Sequence, residues 1–296
     1  MQKRTNVNVR ERELIEAIID LAITEDVGPG DVTSRAIIHP ELQMSFVCRA
    51  KQAGIIAGLA IMQRVFAKID PGIECELLAE EGTEVVAGTE VAVIRGPAQS
   101  VLTAERTALN FLQRMSGIAT ETRRYVQEVE GTGVRILDTR KTVPGHRVLD
   151  KLAVQLGGGV NHRCGLFDMI MIKDNHIAAA GGITAAVTRV QRANTAQLPV
   201  EIEVVSVEGL HEVLGLGMEM EIDRVLLDNM SLVELRDCVA ASDGRLLLEA
   251  SGNVTLKTVR DIAATGVDFI SVGSLTHSVA ALDIHLDMVE QEGDAL

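Results

Sequence analysis

GVRILD (133–138), DMIMIK (168–173), VEIEVV (200–205), DRVLLD (223–228), RLLLEA (245–250) and VDFISV (267–272) are the runs whose reading decides the fold. Each is short and apolar, as expected of a strand buried on a sheet face. Helical patterns follow the later ones, at residues 182–194, 207–216, 231–241 and 254–265. Strands that each feed a helix predict an α/β fold with a parallel sheet covered on its outer face. Six units spaced 22 to 35 residues apart suit a closed or nearly closed α/β barrel. A Rossmann half fits less well, because no GxGxxG ends the first strand.

Before residue 115 the rhythm is different. An amphipathic helix at 10–24 leads into the turn-rich EDVGPGD (25–31), and β-like runs follow at 44–51, 73–79 and 90–95. Glycines punctuate EEGTEVVAGTEVAVIRG (80–96) at a spacing that suits a sandwich of short strands. The segment also resembles half of a lipoyl or biotinyl carrier. Such a carrier needs a lysine at a hairpin tip, and the chain has none between Lys68 and Lys141. From Thr103 a helical pattern continues to about Glu130, with a break expected near Gly117; Leu109, Leu112, Met115 and Ile118 fall on its core side. The expected division is therefore a sandwich domain at 1–115 and a barrel at 116–275.

Charge and composition narrow the function. The 296 residues carry 28 Lys+Arg against 42 Asp+Glu, a formal net charge of −14. That balance argues against a nucleic-acid or anionic-membrane binder. Aromatics at 2%, with no Trp, remove the stacking platforms of single-strand binders. The longest apolar run, residues 53–62, is too short to cross a bilayer, and the charged start has no apolar leader core. Cys48, Cys75, Cys164 and Cys238 are widely spaced, with no CxxC, which suits reduced thiols. The expectation is a soluble cytoplasmic protein.

In α/β barrels chemistry sits at the C-terminal ends of the strands. Here those ends read Asp138-Thr139-Arg140-Lys141-Thr142, Lys173-Asp174-Asn175-His176, Asp228-Asn229, Glu249-Ala250-Ser251-Gly252-Asn253 and Gly273-Ser274, while Glu201 and Glu203 alternate onto one face of the third strand. Residues 135–173 hold seven Lys/Arg and only three acids, a local +4 within a chain whose remainder sums to −18. Guanidinium groups grip carboxylates and phosphates, and the glycines at 157–159 permit close backbone approach; the alternative is a solvated basic face. His146 and His162 fall inside this island and can bind anions, whereas His39, His211 and His285 lie outside any motif. The turns Ser251-Gly252-Asn253 and Gly273-Ser274-Leu275 match the phosphate site built after the last strands of such barrels, although Asn253 also suits an N-cap. Glu203 and Asp228 suit Mg²⁺ or ribose hydroxyls, or else an ion pair with Lys141 or Lys173.

Taken in order, EDVGPGDVTS (25–34), AERTALNFLQRMSGIAT (104–120), DTRKTVPGHR (138–147), GGGVNHRCGLFDMIMIKDNH (157–176), LLDNM (226–230), SGNVT (251–255) and GVDFISVGSLTHSVAALDI (266–284) resemble the quinolinate phosphoribosyltransferases over nearly the whole chain. The resemblance implies an N-terminal α/β sandwich, joined by the tail at 276–296, and an incomplete barrel. It also implies a homodimer whose neighbouring subunits complete each other's active sites, with Mg²⁺ as cofactor. The implied reaction joins quinolinate to phosphoribosyl pyrophosphate, giving nicotinate mononucleotide, CO₂ and pyrophosphate. By motif position, Arg106 would reach quinolinate from the partner chain. Thr139 falls within the DTRK motif among the substrate-binding positions; Arg140, His162, Arg163 and Lys173 would hold the dicarboxylate, with Lys141 at the pyrophosphate or reacting centre. Glu203 and Asp228 would address ribose and Mg²⁺, and the Ser251–Asn253 and Gly273–Leu275 turns the 5-phosphate. Two other readings are a related enzyme acting on another heteroaromatic acid and a non-catalytic phosphate-ligand binder.

Overall fold

The computed structural model describes residues 8–217 and 221–289, and the chain divides into two compact units. The first comprises Met1–Arg123, Thr142–Gly158 and Ser278–Leu296. Its main sheet has the order β12-β1-β5-β3, built from β1 (Gln43–Ala50), β3 (Glu74–Leu77), β5 (Glu90–Pro97) and β12 (Ile284–Met288). All its pairings are antiparallel, with Phe46 of β1 opposite Ile94 on one side and Met288 on the other. A small pair, β2 (Gly54–Ile55) with β4 (Glu84–Val85), completes its strands among the described residues.

Local chemistry sets the helix ends of this unit. Asn8 and Glu11 form a reciprocal capping box at the start of Val9–Val27, and the Asp31 carboxylate caps Val32–Ile37. The first helix thus runs through part of the stretch read as turn, leaving only residues 28–31 between the two. Helix Leu59–Ile69 buries Leu59, Ile61, Met62, Val65 and Phe66 at helical spacing.

Two boundaries differ from the sequence reading. Helix Ala98–Glu128 is continuous over 31 residues and does not break at Gly117. Glycine is needed there for contact: a Cβ would stand 2.2 Å from the carbonyl oxygen of Ala280. Residues 142–158, expected in the barrel, belong to the first unit. The cause is the helix Arg147–Leu156, whose Asp150 is fully buried and takes two hydrogen bonds from Arg114, at 3.0 and 2.9 Å. Next to it Gly157 lies against the long helix, where a Cβ would meet the Ala119 carbonyl at 2.4 Å. The expected tail joins this unit through β12, from Ser278 on; Thr276 and His277 stay with the second unit, and residues 290–296 lie outside the described residues.

The second unit, Arg124–Lys141 and Gly159–His277, holds β6 (Arg135–Leu137), β7 (Ile170–Ile172), β8 (Val200–Val204), β9 (Arg224–Asp228), β10 (Leu247–Ser251) and β11 (Phe269–Ser271). These are the six expected strands, all parallel, in the order β6-β11-β10-β9-β8-β7. The first strand lies beside the last, as in a barrel, while β6 and β7 are not paired with each other; the barrel is open there. Val160 patches the β6 edge, its N–H reaching Ile136 O at 2.8 Å and its carbonyl accepting from Asp138 N at 3.2 Å.

Helices Ile183–Ala193, Val207–Gly215 and Leu232–Ser242 fall where periodicity puts them. The last expected helix is cut to Val259–Ala263. Thr255 and Thr258 bond each other and the local backbone, which competes with a helical turn. Asn253 is therefore no N-cap.

Strand alternation then separates two environments. Ile136, Ile202, Val204, Val225, Leu227, Leu248, Ala250 and Ile270 point one way and are at most 3% exposed. The other face, turned into the barrel, sets polar groups among apolar ones: Arg135 and Arg224 lie over the Phe269 ring at 5.4 and 4.4 Å, and Glu201, Glu249 and Ser271 are buried on it beside Leu137 and Leu226.

Gly117→Ala replaces a poor helix former by the best one. Because its Cβ has no room against Ala280, we expect a loss of about 1–3 kcal/mol in urea denaturation. Unchanged or increased stability would show that the contact yields.

Candidate active site

A cavity of about 590 Å³ opens at the C-terminal ends of the second unit's strands. Thr139, Arg140, Lys141, His162, Arg163, Lys173, Glu203, Asp228, Ser251, Gly252 and Asn253 all line it. Of the residues singled out from sequence, Gly273, Ser274 and Leu275 do not. Leu275 is fully buried, and Ser274 opens the short helix Ser274–His277. Gly273 backs the cavity indirectly, since a Cβ there would meet Lys141 Cδ at 3.1 Å. Arg106 lies exposed on the long helix of the first unit.

The basic island divides. Arg140, Lys141, Arg163 and Lys173 face the cavity, but Arg135 sits at the opposite end of its strand. Arg147 and Lys151 belong to the first unit, where Arg147 donates to Thr142 Oγ1 at 3.0 Å and Lys151 is buried. His146 also belongs to the first unit and does not line the cavity; its ring stacks on Phe111 with centroids 6.0 Å apart. Gly157, in the triplet, serves helix packing. Sequence-local charge overstated the island because it ignores which way the chain turns after Lys141.

Fixed geometry holds the cations in place. The Lys141 backbone N–H donates to Thr139 Oγ1 at 3.0 Å, and its carbonyl accepts from Thr276 Oγ1 at 2.8 Å. Lys173 pairs with Glu203, one of the alternatives open from sequence. Burial, and next to it the Arg140 charge, pull the Arg163 guanidinium below its ordinary value. Across the mouth, Asp228 Oδ2 accepts from Asn229 Nδ2 at 2.8 Å, and Asn229 Oδ1 accepts from Asn253 Nδ2 at 3.2 Å.

The floor is a cluster whose members the sequence marks singly but does not join. His162 receives the Arg163 N–H on Nδ1 at 2.7 Å, and its Nε2 is 2.9 Å from Glu201 Oε2 and 3.5 Å from Glu249 Oε2. His162 lines the cavity, yet both ring nitrogens are turned to the protein. The His162, Glu201 and Glu249 ligand atoms lie within 4.8 Å of one another, a residue set that can suit a metal. Here the cation is Arg224, paired with Glu249 and 3.9 Å from Glu201. Burial, then the neighbouring Glu201 charge, push Glu249 up to about 7, and burial raises Glu201 too. The period-two pattern of β8 and β10 places these carboxylates inward, but their meeting with His162 and Arg224 is a tertiary contact that no local pattern shows.

A carboxyl that keeps its proton to about 7 when folded, against an ordinary 4.5, favours the folded state at low pH and loses that advantage as pH rises through this window. We expect the protein to lose stability between about pH 5 and about pH 8, and Glu249→Gln to lose less, by up to about 3 kcal/mol. Denaturant midpoints at the two pH values measure this; equal losses in both proteins would assign the dependence to another group.

Comparison with known proteins agrees with this geometry. Residues 31–116 match the quinolinate phosphoribosyl transferase N-terminal domain, and residues 118–287 match its C-terminal domain. The decarboxylating quinolinate phosphoribosyltransferase 1b of Nicotiana tabacum is 44% identical over 287 residues, covering 92% of this chain and 81% of its own. A probable carboxylating nicotinate-nucleotide pyrophosphorylase of Bacillus subtilis is 39% identical, with 93% of each chain covered. Among solved structures, NadC from Streptococcus pyogenes superposes with a TM-score of 0.87 at 37% identity, covering 93% of this chain and 97% of its own. The nicotinate-nucleotide pyrophosphorylase from Francisella tularensis gives 0.89 at 35%, covering 96% and 98%. With both domains matched in order and the strand-end cavity formed, the chain belongs to the quinolinate phosphoribosyl transferase family.

Proposed function

We infer that the protein transfers the phosphoribosyl group of phosphoribosyl pyrophosphate to quinolinate and decarboxylates the product, releasing pyrophosphate, CO₂ and nicotinate mononucleotide. The observation that carries the reading is one cavity lined by Arg140, Lys141, Arg163 and Lys173 together with Glu203 and Asp228. A dicarboxylate, a phosphate and a diphosphate call for several fixed cations, and a sugar cation forming at C1 calls for carboxylates.

In this reading Arg140 and Arg163 grip the pyridine carboxylates, and Lys173, whose ammonium has three donors, adds a bond to one while keeping Glu203. Thr139 orients Lys141, which faces the leaving pyrophosphate. His162 acts through its ring packing and through Arg163, whose N–H it accepts. The ring nitrogen bonds to ribose C1 as the C1–O bond breaks and its electrons leave with pyrophosphate. Glu203 and Asp228 stabilise the transient positive charge, and positioning supplies much of the remaining acceleration. The bond from C2 to its carboxylate then breaks. The quaternary nitrogen stabilises the electron pair left at C2, which takes a proton.

Mg²⁺ is part of the proposal. Glu203 and Asp228 are hard oxygen donors on adjacent strands, but among the described residues no third ligand joins them. That set fits an ion brought largely by substrate phosphates. When bound, Mg²⁺ neutralises the diphosphate leaving group. The Ser251–Asn253 turn takes the 5-phosphate, with Gly273–Leu275 as the second turn of that site. We also propose a homodimer in which exposed Arg106 serves the partner's cavity, and a cytoplasmic location, supported by four unbridged cysteines. Among the described residues no helix is long and apolar enough to cross a membrane.

Arg140→Ala or Lys173→Ala is expected to reduce quinolinate-dependent pyrophosphate release at least about a hundredfold while the thermal transition persists. Full activity in either variant would remove the site assignment. Nicotinate in place of quinolinate should release no CO₂; turnover of another heteroaromatic acid instead would point to a related enzyme.

A further inference from the structure

Asn229 sits just after β9, exposed at the cavity mouth, and makes three linked contacts. Its backbone N–H donates to Ser251 O at 2.9 Å. Its side-chain Nδ2 donates to Asp228 Oδ2 at 2.8 Å, and its Oδ1 accepts from Asn253 Nδ2 at 3.2 Å. The fit against the neighbouring turn is close: a Cβ on Gly252 would stand 2.1 Å from Asn229 Oδ1. Both Asn229 and Asn253 adopt left-handed backbone, at φ 54° and 51°, a conformation asparagine tolerates better than most residues. One side chain therefore joins the end of β9 to the end of β10.

We propose that Asn229 is a positioning residue that fixes the spacing between the Asp228 carboxylate and the Ser251–Asn253 turn, and so selects a ribose 5-phosphate unit over free phosphate. The inference rests on the reading that Asp228 addresses ribose and the turn addresses the 5-phosphate. In such a substrate, covalent bonds fix the distance from the sugar hydroxyls to the phosphate. A protein that holds the two receptors at matching separation gains from both contacts at once; loosened receptors still bind either piece. The Asn229 donor also orients Asp228 Oδ2 without adding charge. A like-sized aspartate would set two carboxylates side by side.

The test is equilibrium binding of ribose 5-phosphate and of inorganic phosphate, without added Mg²⁺, to wild type, Asn229→Gly, Asn229→Ala and Asp228→Asn. Asn229→Gly retains the backbone conformation and removes only the side chain. It is expected to weaken ribose 5-phosphate about three- to tenfold and leave inorganic phosphate within about twofold. In turnover, KM for phosphoribosyl pyrophosphate should rise in the same proportion, while KM for quinolinate stays within about twofold. A merely structural role would raise both KM values together, and that result overturns the proposal. Unchanged discrimination in Asn229→Gly, with Asp228→Asn weakening ribose 5-phosphate, overturns it and leaves the site reading intact. No effect of Asp228→Asn on ribose 5-phosphate overturns the site reading beneath it. Should the glycine variant lose its thermal transition, Asn229→Ala, which removes the same amide, keeps the Cβ and adds no charge, carries the same expectation.

Discussion

The second unit depends on how the charge inside its barrel is balanced. Glu201 and Glu249 are wholly buried, and removing two carboxylates from water is among the costliest steps a fold can take. Arg224 faces both, His162 approaches both, and the Ser271 hydroxyl reaches Glu249. A proton retained by Glu249 to about 7 leaves the two acids and Arg224 close to neutral. Arg224 is in turn fixed by its stack on Phe269. A floor that is neutral and tied to four strands lets the rim above it carry the net positive charge, and holds His162, hence the Arg163 backbone, in register.

This arrangement shows why the barrel was readable. The outward residues of β6 and β8 to β11 are Val, Ile, Leu and Ala, and helices follow at regular intervals, so local periodicity and long-range packing ask for the same structure. Gly117 is the opposite case. A glycine inside a helical pattern reads as a break, and only contact with residue 280, remote in sequence, shows that it is a site of close approach. Residues 142–158 failed for the same reason, since the Arg114–Asp150 pair that claims them is a tertiary contact. The shortened helix at Val259–Ala263 reflects side-chain competition from Thr255 and Thr258, which apolar spacing does not register.

The site was legible to the extent that strand ends are legible. Arg140, Lys141, Lys173, Asp228 and Ser251–Asn253 follow β-runs directly, so placing the strands placed them in one cavity. Arg163 and His162 follow no strand and were marked by local charge. That same signal also marked Arg147 and Lys151, which the helix Arg147–Leu156 carries into the other unit. Glu249 and Ser271 lie below the ends, within apolar runs, where a polar residue on the inward face reads as an exception unless strand parity is followed through the barrel.

The acidity of the chain and the basicity of its cavity are reconciled by range. At physiological ionic strength exposed charges are screened beyond about 8 Å, so the surplus carboxylates act on what approaches the surface and little on what has entered the cavity. A long polyanion must stay near that surface and is repelled along its length. A small anion in the mouth lies within a few ångströms of Arg140, Lys141, Arg163 and Lys173, in a site partly closed to water, where the same charges act more strongly. Two guanidinium groups and two ammonium groups also differ in shape. Planar forks suit anions of fixed geometry, and compact ammonium groups accept several directions of approach. Net charge therefore disfavours long polyanions, while the local arrangement of four cations favours small anions.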